Sequence, residues 1–246
     1  MVIIIVIVIA FIGLITYGII SQRKRREAMQ ALASKNGWTP LSNDESTLLQ
    51  YLPQYIQLLG QQSYGFGGYT RTNSSYDMAY KAAIGSHTAV VFQYTYTEYH
   101  QSADPEQSEQ STTTCFSILN ISLPVVEPTV LLLHHSFASK LINFGLHNGL
   151  QKINLEGNFN QYYDTYISPN GQVEALSVFT PDIMEQVMAM AGSKTHASIQ
   201  MSGQSLIISF ENQLLTPEFI EPLMAQVSPL LAKLDSKPNT ILAQIH

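Results

Sequence analysis

Two adjacent histidines, His134 and His135, end the leucine-rich stretch "VLLLHH" and are the first candidates for a metal site. Histidine is the commonest metal ligand and titrates near neutral pH. The stretch has the character of a β-strand, however, and successive strand residues point to opposite faces. The two rings are therefore not expected to share one ion, and we predict no metal site here.

Other residues suggest chemistry only weakly. Cys115 lies in "TTTC", where a strand interpretation makes it a small core filler rather than a nucleophile. Glu98 and His100 are expected to share one strand face and could form an acid-base couple. Because the strand enters a loop there, we predict a surface pair instead. The loop acids Asp104, Glu106 and Glu109 lack the spacing of a calcium loop.

No motif supplies the chemistry of an enzyme. The glycine-rich stretch 64–71 lacks the Lys-Ser/Thr ending of a phosphate loop, and the nucleophile elbow and His-Glu-x-x-His zinc motif do not occur. We therefore predict no catalytic residues, no cofactor and no metal. The alternative that stays open is a hydrolase-like enzyme with a loop-assembled site, acting on a membrane-proximal substrate.

The strongest pattern is the apolar start, "MVIIIVIVIAFIGLITYGII", which has no charged residue. About 20 such residues form a helix about 30 Å long, which matches a bilayer core. The run begins at Met1 and lacks the basic leader and cleavage site of a signal peptide. We predict a transmembrane anchor at residues 1–21, in contact with the lipid bilayer.

The basic cluster Arg23, Lys24, Arg25 and Arg26 follows the anchor directly. Because basic residues favour the cytoplasmic side, it predicts a single-pass protein of the cell membrane with its N-terminus outside and its domain in the cytoplasm. Residues 28–246 hold eight basic and 17 acidic residues, a formal charge of −9. Such an acidic body disfavours nucleic-acid binding.

The rest of the chain predicts an α+β domain with a mainly antiparallel sheet and packed helices. A basic juxtamembrane segment and helix at 22–38 precede this domain at 39–246, with a possible subdivision near 124–150. Alternation in "AVVFQYTYTEY" predicts a strand with an aromatic inner face, paired with "TTTCFSILNISLP". Prolines 124 and 128 are expected to break the chain before the next strand.

Further elements follow along the chain. "SFASKLINFG" predicts a short helix and "LQKINLE" a strand. "ASIQMSGQSLIISF" predicts a hairpin turning at Ser202 and Gly203. Helices are expected to begin at Thr180 and Thr216, with each threonine side chain accepting from the first free amides.

The segment "INLEGNFNQYYDTYISPNGQVEALSVFTPDIMEQV" resembles a bacterial membrane-anchored family of unknown function. That family has a strand ending in Glu, then Phe-x-x-x-Phe, an alanine and Leu-Thr-Pro opening a helix. The matching positions here are Glu156, Phe159, Tyr163, Ala175, Thr180 and Pro181. The resemblance implies a membrane-tethered α+β domain, structural roles for these positions and no known activity.

These observations favour a tethered interaction or sensing module with a protein partner of unknown identity.

Overall fold

The computed structural model describes residues 2–61, 64–65, 68–100, 110–135, 149–169, 171–191 and 197–236. Within these ranges the side chains of 2–6, 8–10, 58–72, 100, 110, 174 and 191 are not described. The predicted helix "SFASKLINFG" and the loop acids Asp104, Glu106 and Glu109 lie outside the described residues.

The described helices alternate with groups of strands in an α+β order. The α-helices are α1 (Val2–Lys35), α2 (Glu45–Leu48), α3 (Gln54–Gln61), α4 (Gln172–Val178), α5 (Pro181–Ala191) and α6 (Pro217–Asp235). Short 3₁₀ turns cover Leu49–Tyr51 and Phe159–Gln161. The strands are β1 (Thr39–Pro40), β2 (Tyr64–Gly65), β3 (Gly68–Ile84), β4 (His87–His100), β5 (Gln110–His134), β6 (Gln151–Ile153), β7 (Tyr163–Ile167) and β8 (Ala197–Glu211).

All described strand pairs are antiparallel, which confirms the predicted fold class of the domain. The sheet has the order β1-β3-β4-β5-β7-β6, with β8 along the other edge of β5. The predicted pairing of β4 with β5 is confirmed, with Phe92 opposite Ile118. The sheet is therefore built around β5, which pairs with β4 in its first half and β7 in its last residues.

Two predictions about breaks in the chain are wrong. Pro124 and Pro128 do not end a strand, because both lie inside β5 between its pairing with β4, which ends at Ile121, and with β7, which begins at Val130. Proline has no amide to donate and is tolerated where a strand edge is unpaired.

The predicted hairpin at Ser202 and Gly203 is likewise one continuous strand, β8. Gly203 adopts φ +56° opposite the irregular register around Glu127, so the glycine forms a bulge instead of a turn.

The two faces of the sheet carry separate apolar clusters. One face is covered by α1, α4, α5 and α6, and its buried residues include Met29, Val91 and Ile208. The other face is covered by α2 and α3 and includes Phe92 and Phe116. The aromatic inner face predicted for β4 belongs to this second cluster.

The helix starts predicted at Thr180 and Thr216 are confirmed to within one residue. α1 ends at Lys35, with Gly37 at φ +67° where a left-handed residue closes the helix. α5 and α6 begin at Pro181 and Pro217, directly after the two threonines. The capping detail is wrong for α6, because Thr216 makes no side-chain cap bond. Its carbonyl instead accepts from the Phe219 and Ile220 amides.

Among the described residues, which omit the side chains of 2–6 and 8–10, we find no helix with the length and apolar character of a membrane span. The transmembrane anchor at residues 1–21 therefore stays a prediction.

Candidate functional site

Helix α1 has two halves with opposite surroundings. Its C-terminal half packs on the sheet, where Met29, Leu32 and Ala33 are buried in the core. In its N-terminal half, every large apolar side chain that is described is exposed by 47–73%; these are Ile7, Phe11, Ile12, Leu14, Ile15, Tyr17, Ile19 and Ile20. The helix thus carries a long apolar surface away from the domain core.

Arg25 marks the point where α1 meets the sheet. Its side chain is only 12% exposed, and its Nη1 donates a hydrogen bond of 2.7 Å to Oε1 of Gln93. Its Nη2 lies 4.0 Å from Oδ2 of Asp77. The Leu215 amide donates to the same Gln93 oxygen at 3.2 Å. We call Arg25, Asp77, Gln93 and Leu215 the Arg25 socket.

Two effects act on the pKa of Arg25 in opposite directions. Burial lowers the pKa of Arg25, and the negative charge of Asp77 works against that shift. An arginine so placed stays cationic at any physiological pH, because its ordinary pKa is far above neutrality. The buried cation therefore depends on Gln93 and Asp77 for its stabilisation.

The sheet presents the socket through its register. Asp77 pairs with Gln93, and Gln93 pairs with Ser117, so three polar residues form a row across β3, β4 and β5. Ser117 donates to the carbonyl oxygen of Gln213 at 2.8 Å. Arg25 of α1 contacts this polar row through Gln93 and Asp77.

The other members of the basic cluster remain at the surface. Arg23 is 81% exposed and pairs with Glu27 one turn later at 2.8 Å. Arg26 is 61% exposed, and its Nε lies 3.2 Å from Oδ2 of Asp77. Lys24 is exposed. Arg25 therefore differs from its three neighbours in burial, although Arg26 shares its partner Asp77.

Cys115 lies near the socket and is half-buried. Its thiol lies 3.9 Å from the Gln213 carbonyl oxygen. Burial raises the pKa of Cys115, while Arg25 opposes that shift. A thiol with a raised pKa is a poor nucleophile. The interpretation of Cys115 as a small filler stays a prediction.

The two histidines of the sequence motif have different surroundings. The His134 ring packs edge-on against Tyr163, with centroids 6.0 Å apart. Nε2 of His135 lies 3.5 Å from Oδ1 of Asp164, which also accepts from Lys152 at 2.6 Å. Within the described ranges, no group of three or more His, Cys, Asp or Glu side chains is placed to hold a metal ion.

Two further candidates are only partly described. Glu98 interacts with Tyr96, and this contact adds to burial in raising the pKa of Tyr96. The side chain of His100 and those of the glycine-rich stretch 64–71 lie outside the described residues. The pairing of Glu98 with His100 therefore stays a prediction.

Three positions of the family-like motif, Phe159, Tyr163 and Ala175, belong to one buried cluster. Phe159 and Tyr163 are fully buried and stack with centroids 5.1 Å apart. Ala175 in α4 is buried in the same cluster. Thr180 and Pro181 lie at the start of α5, where the Thr180 carbonyl accepts from two amides. Glu156 is exposed.

Sequence reasoning missed the polar residues that hold the α2–α3 layer to the sheet. Buried Asn120 donates to the Tyr51 carbonyl at 3.1 Å. Gln200 accepts from the Gln54 amide at 2.8 Å, and the Tyr55 hydroxyl bonds with Ser209. The available signal was polar residues at single positions of otherwise apolar strands.

Replacing Tyr163 with phenylalanine is expected to raise the free energy of unfolding by about 1 kcal/mol. Its buried hydroxyl has no hydrogen-bond partner among the described residues, so removing it relieves a desolvation cost. Urea denaturation of the full chain in neutral micelles measures the change. The matched Tyr55→Phe change removes a bonded hydroxyl and should lower stability by about 1 kcal/mol. Equal losses in both variants would contradict this prediction.

No family model matches the chain, and the search of curated proteins finds no match. The crystal structure of the mycobacterial trehalose monomycolate transport factor A, TtfA, is similar in fold. The TM-score is 0.51 at 11% sequence identity, and the similarity covers 85% of this chain and 95% of that one. At this identity the comparison shows a shared fold.

Proposed function

We propose that this chain is a membrane-tethered, non-enzymatic module that engages a protein partner at the cytoplasmic face of the cell membrane. In this proposal the apolar residues 1–21 of α1 contact the bilayer, and the domain at 39–246 carries the interaction. The observation that carries the proposal is the exposed apolar surface of α1 between Ile7 and Ile20. Monomeric soluble proteins rarely expose an apolar surface of this extent.

The Arg25 socket also supports the proposal, because it helps to fix the direction of α1 relative to the domain. α1 is one uninterrupted helix from Val2 to Lys35, so its exposed and buried halves share one axis. Because Arg25, Met29 and Leu32 fix the second half on the sheet, the first half has a set direction relative to the domain. A module held in this way presents the same surface to every membrane-bound partner.

The structural neighbour supports the proposal in one respect. TtfA is described as a transport factor for trehalose monomycolate, which is consistent with a membrane-related role for this fold. The resemblance of residues 153–187 to a membrane-anchored bacterial family points in the same direction. Neither supplies a partner or a substrate for this chain.

Cysteine labelling in intact cells tests the tether and its orientation together. Ser111 is exposed, so we use the variant S111C in a C115A background and a membrane-impermeant maleimide. We expect the protein in the membrane pellet after alkaline extraction, with Cys-directed label incorporated only after permeabilisation. Release into the supernatant would refute the tether. Ready labelling of intact cells would refute the cytoplasmic orientation.

The interaction role is tested separately by affinity capture of the full chain from cross-linked cells. We expect one reproducible membrane-associated protein that is absent when the bait carries only residues 1–38. A bound metabolite with no reproducible protein partner would instead favour the enzyme alternative.

A further inference from the structure

The four basic residues of α1 point in different directions. Successive residues of an α-helix are rotated by about 100°. With Arg25 directed at the sheet, Lys24 and Arg26 lie about 100° to either side of it, and Arg23 lies about 160° away. Three of the four side chains therefore project beside or away from the domain.

These three charges are not neutralised by strong contacts. Arg23 pairs with Glu27, but both side chains are mainly exposed, at 81% and 59%. Arg26 contacts Asp77 and remains 61% exposed. Exposed ion pairs contribute little free energy, because water and salt screen them. Each cation is thus available to a second anionic group.

Their position along the helix suggests which anion. Only Ser21 and Gln22 separate the exposed apolar residue Ile20 from Arg23, an axial distance of about 5 Å. If the apolar surface contacts a bilayer, Arg23, Lys24 and Arg26 lie at the depth of the headgroups. The remaining body carries a formal charge of −9, so an anionic membrane attracts this ring of cations and repels the rest.

We propose that Arg23, Lys24 and Arg26 bind the phosphate groups of anionic phospholipid headgroups, an inference that rests on the proposed membrane tether. Arg25 is excluded from this surface because its side chain is only 12% exposed and its guanidinium donates to Gln93. The basic cluster thus divides into one residue that fixes the helix to the domain and three that select the lipid.

Native mass spectrometry of the full chain tests the proposal. The protein is released from micelles of a non-ionic detergent that contain equal mole fractions of phosphatidylglycerol and phosphatidylcholine, and bound lipids are counted. Because each cation near an anionic surface contributes roughly a fivefold preference, we expect phosphatidylglycerol adducts to exceed phosphatidylcholine adducts by at least about tenfold. The triple variant R23Q/K24Q/R26Q should bring this ratio close to one.

The control variant K35Q/K81Q/K152Q removes the same number of charges from other exposed positions. It should retain the preference for phosphatidylglycerol. Equal adducts in the unmodified protein, or an equal loss in the control, would overturn the inference. Failure of the tether itself is distinguishable, because it appears as soluble protein in the alkaline extraction, whereas failure of lipid selection leaves the protein in the pellet.

Discussion

Replacing Phe159 with alanine is expected to lower the free energy of unfolding by about 3–5 kcal/mol. The ring is 1% exposed and stacks on Tyr163 with an interplanar angle of 26°. Truncation removes its apolar contacts and leaves a cavity where the 3₁₀ turn meets the core. The loss should be large because Phe159 belongs to a cluster in which Leu155 and Ala175 are also buried.

Urea denaturation of the full chain in neutral micelles measures this loss, with Glu156→Ala as the control. Glu156 belongs to the same motif but is exposed, so its truncation should change stability by less than about 0.5 kcal/mol. This difference distinguishes a structural motif from a binding motif. A loss below about 1 kcal/mol for Phe159→Ala would show that the aromatic stack does not support the core.

The antiparallel sheet and most helices could be predicted from the sequence because their signals are local. Alternation along β4 identifies its buried aromatic face, and the Thr-Pro pairs identify the starts of α5 and α6. Each signal depends on neighbours within a few residues. Such patterns can therefore be recognised without knowledge of the tertiary structure.

The wrong predictions concern positions where the pairing of the strand with its neighbours decides the local structure. Pro124 and Pro128 break a strand only if both of its edges are paired, and β5 changes partner at this point. Gly203 could form a turn or a bulge, and β8 takes the bulge because residues on both sides of Gly203 pair with β5. The competing arrangements differ by contacts distant in sequence, which local patterns do not contain.

The candidate site was likewise only partly predictable from the sequence. The basic cluster at 23–26 is plain from composition, but its four members look equivalent in one dimension. The signal that singles out Arg25 is helical spacing, because Met29 and Leu32 lie four and seven residues later on the same helix face. Its partners Asp77 and Gln93 come from separate strands and could not be identified from the sequence.

Replacing Arg25 with alanine is expected to lower the free energy of unfolding by about 2–3 kcal/mol, measured by urea denaturation of the full chain in neutral micelles. The variant loses the charge-assisted hydrogen bond to Gln93 and leaves Asp77 with fewer cationic neighbours. The matched Arg23→Ala change removes the same side chain from an exposed position, so it should cost no more than about 0.5 kcal/mol. Equal effects would mean that the socket does not hold the helix.

The rate at which Cys115 reacts with a soluble maleimide gives an independent readout of the same change. In the folded protein, burial raises the pKa of this thiol and Arg25 partly offsets the increase. Loss of Arg25 without movement of α1 would therefore raise the pKa further and slow the reaction. Release of α1 from the sheet would expose the thiol and speed it. We expect the rate to rise several-fold in Arg25→Ala and stay unchanged in Arg23→Ala, and a slower reaction in Arg25→Ala would show that α1 remains docked through Met29 and Leu32 alone.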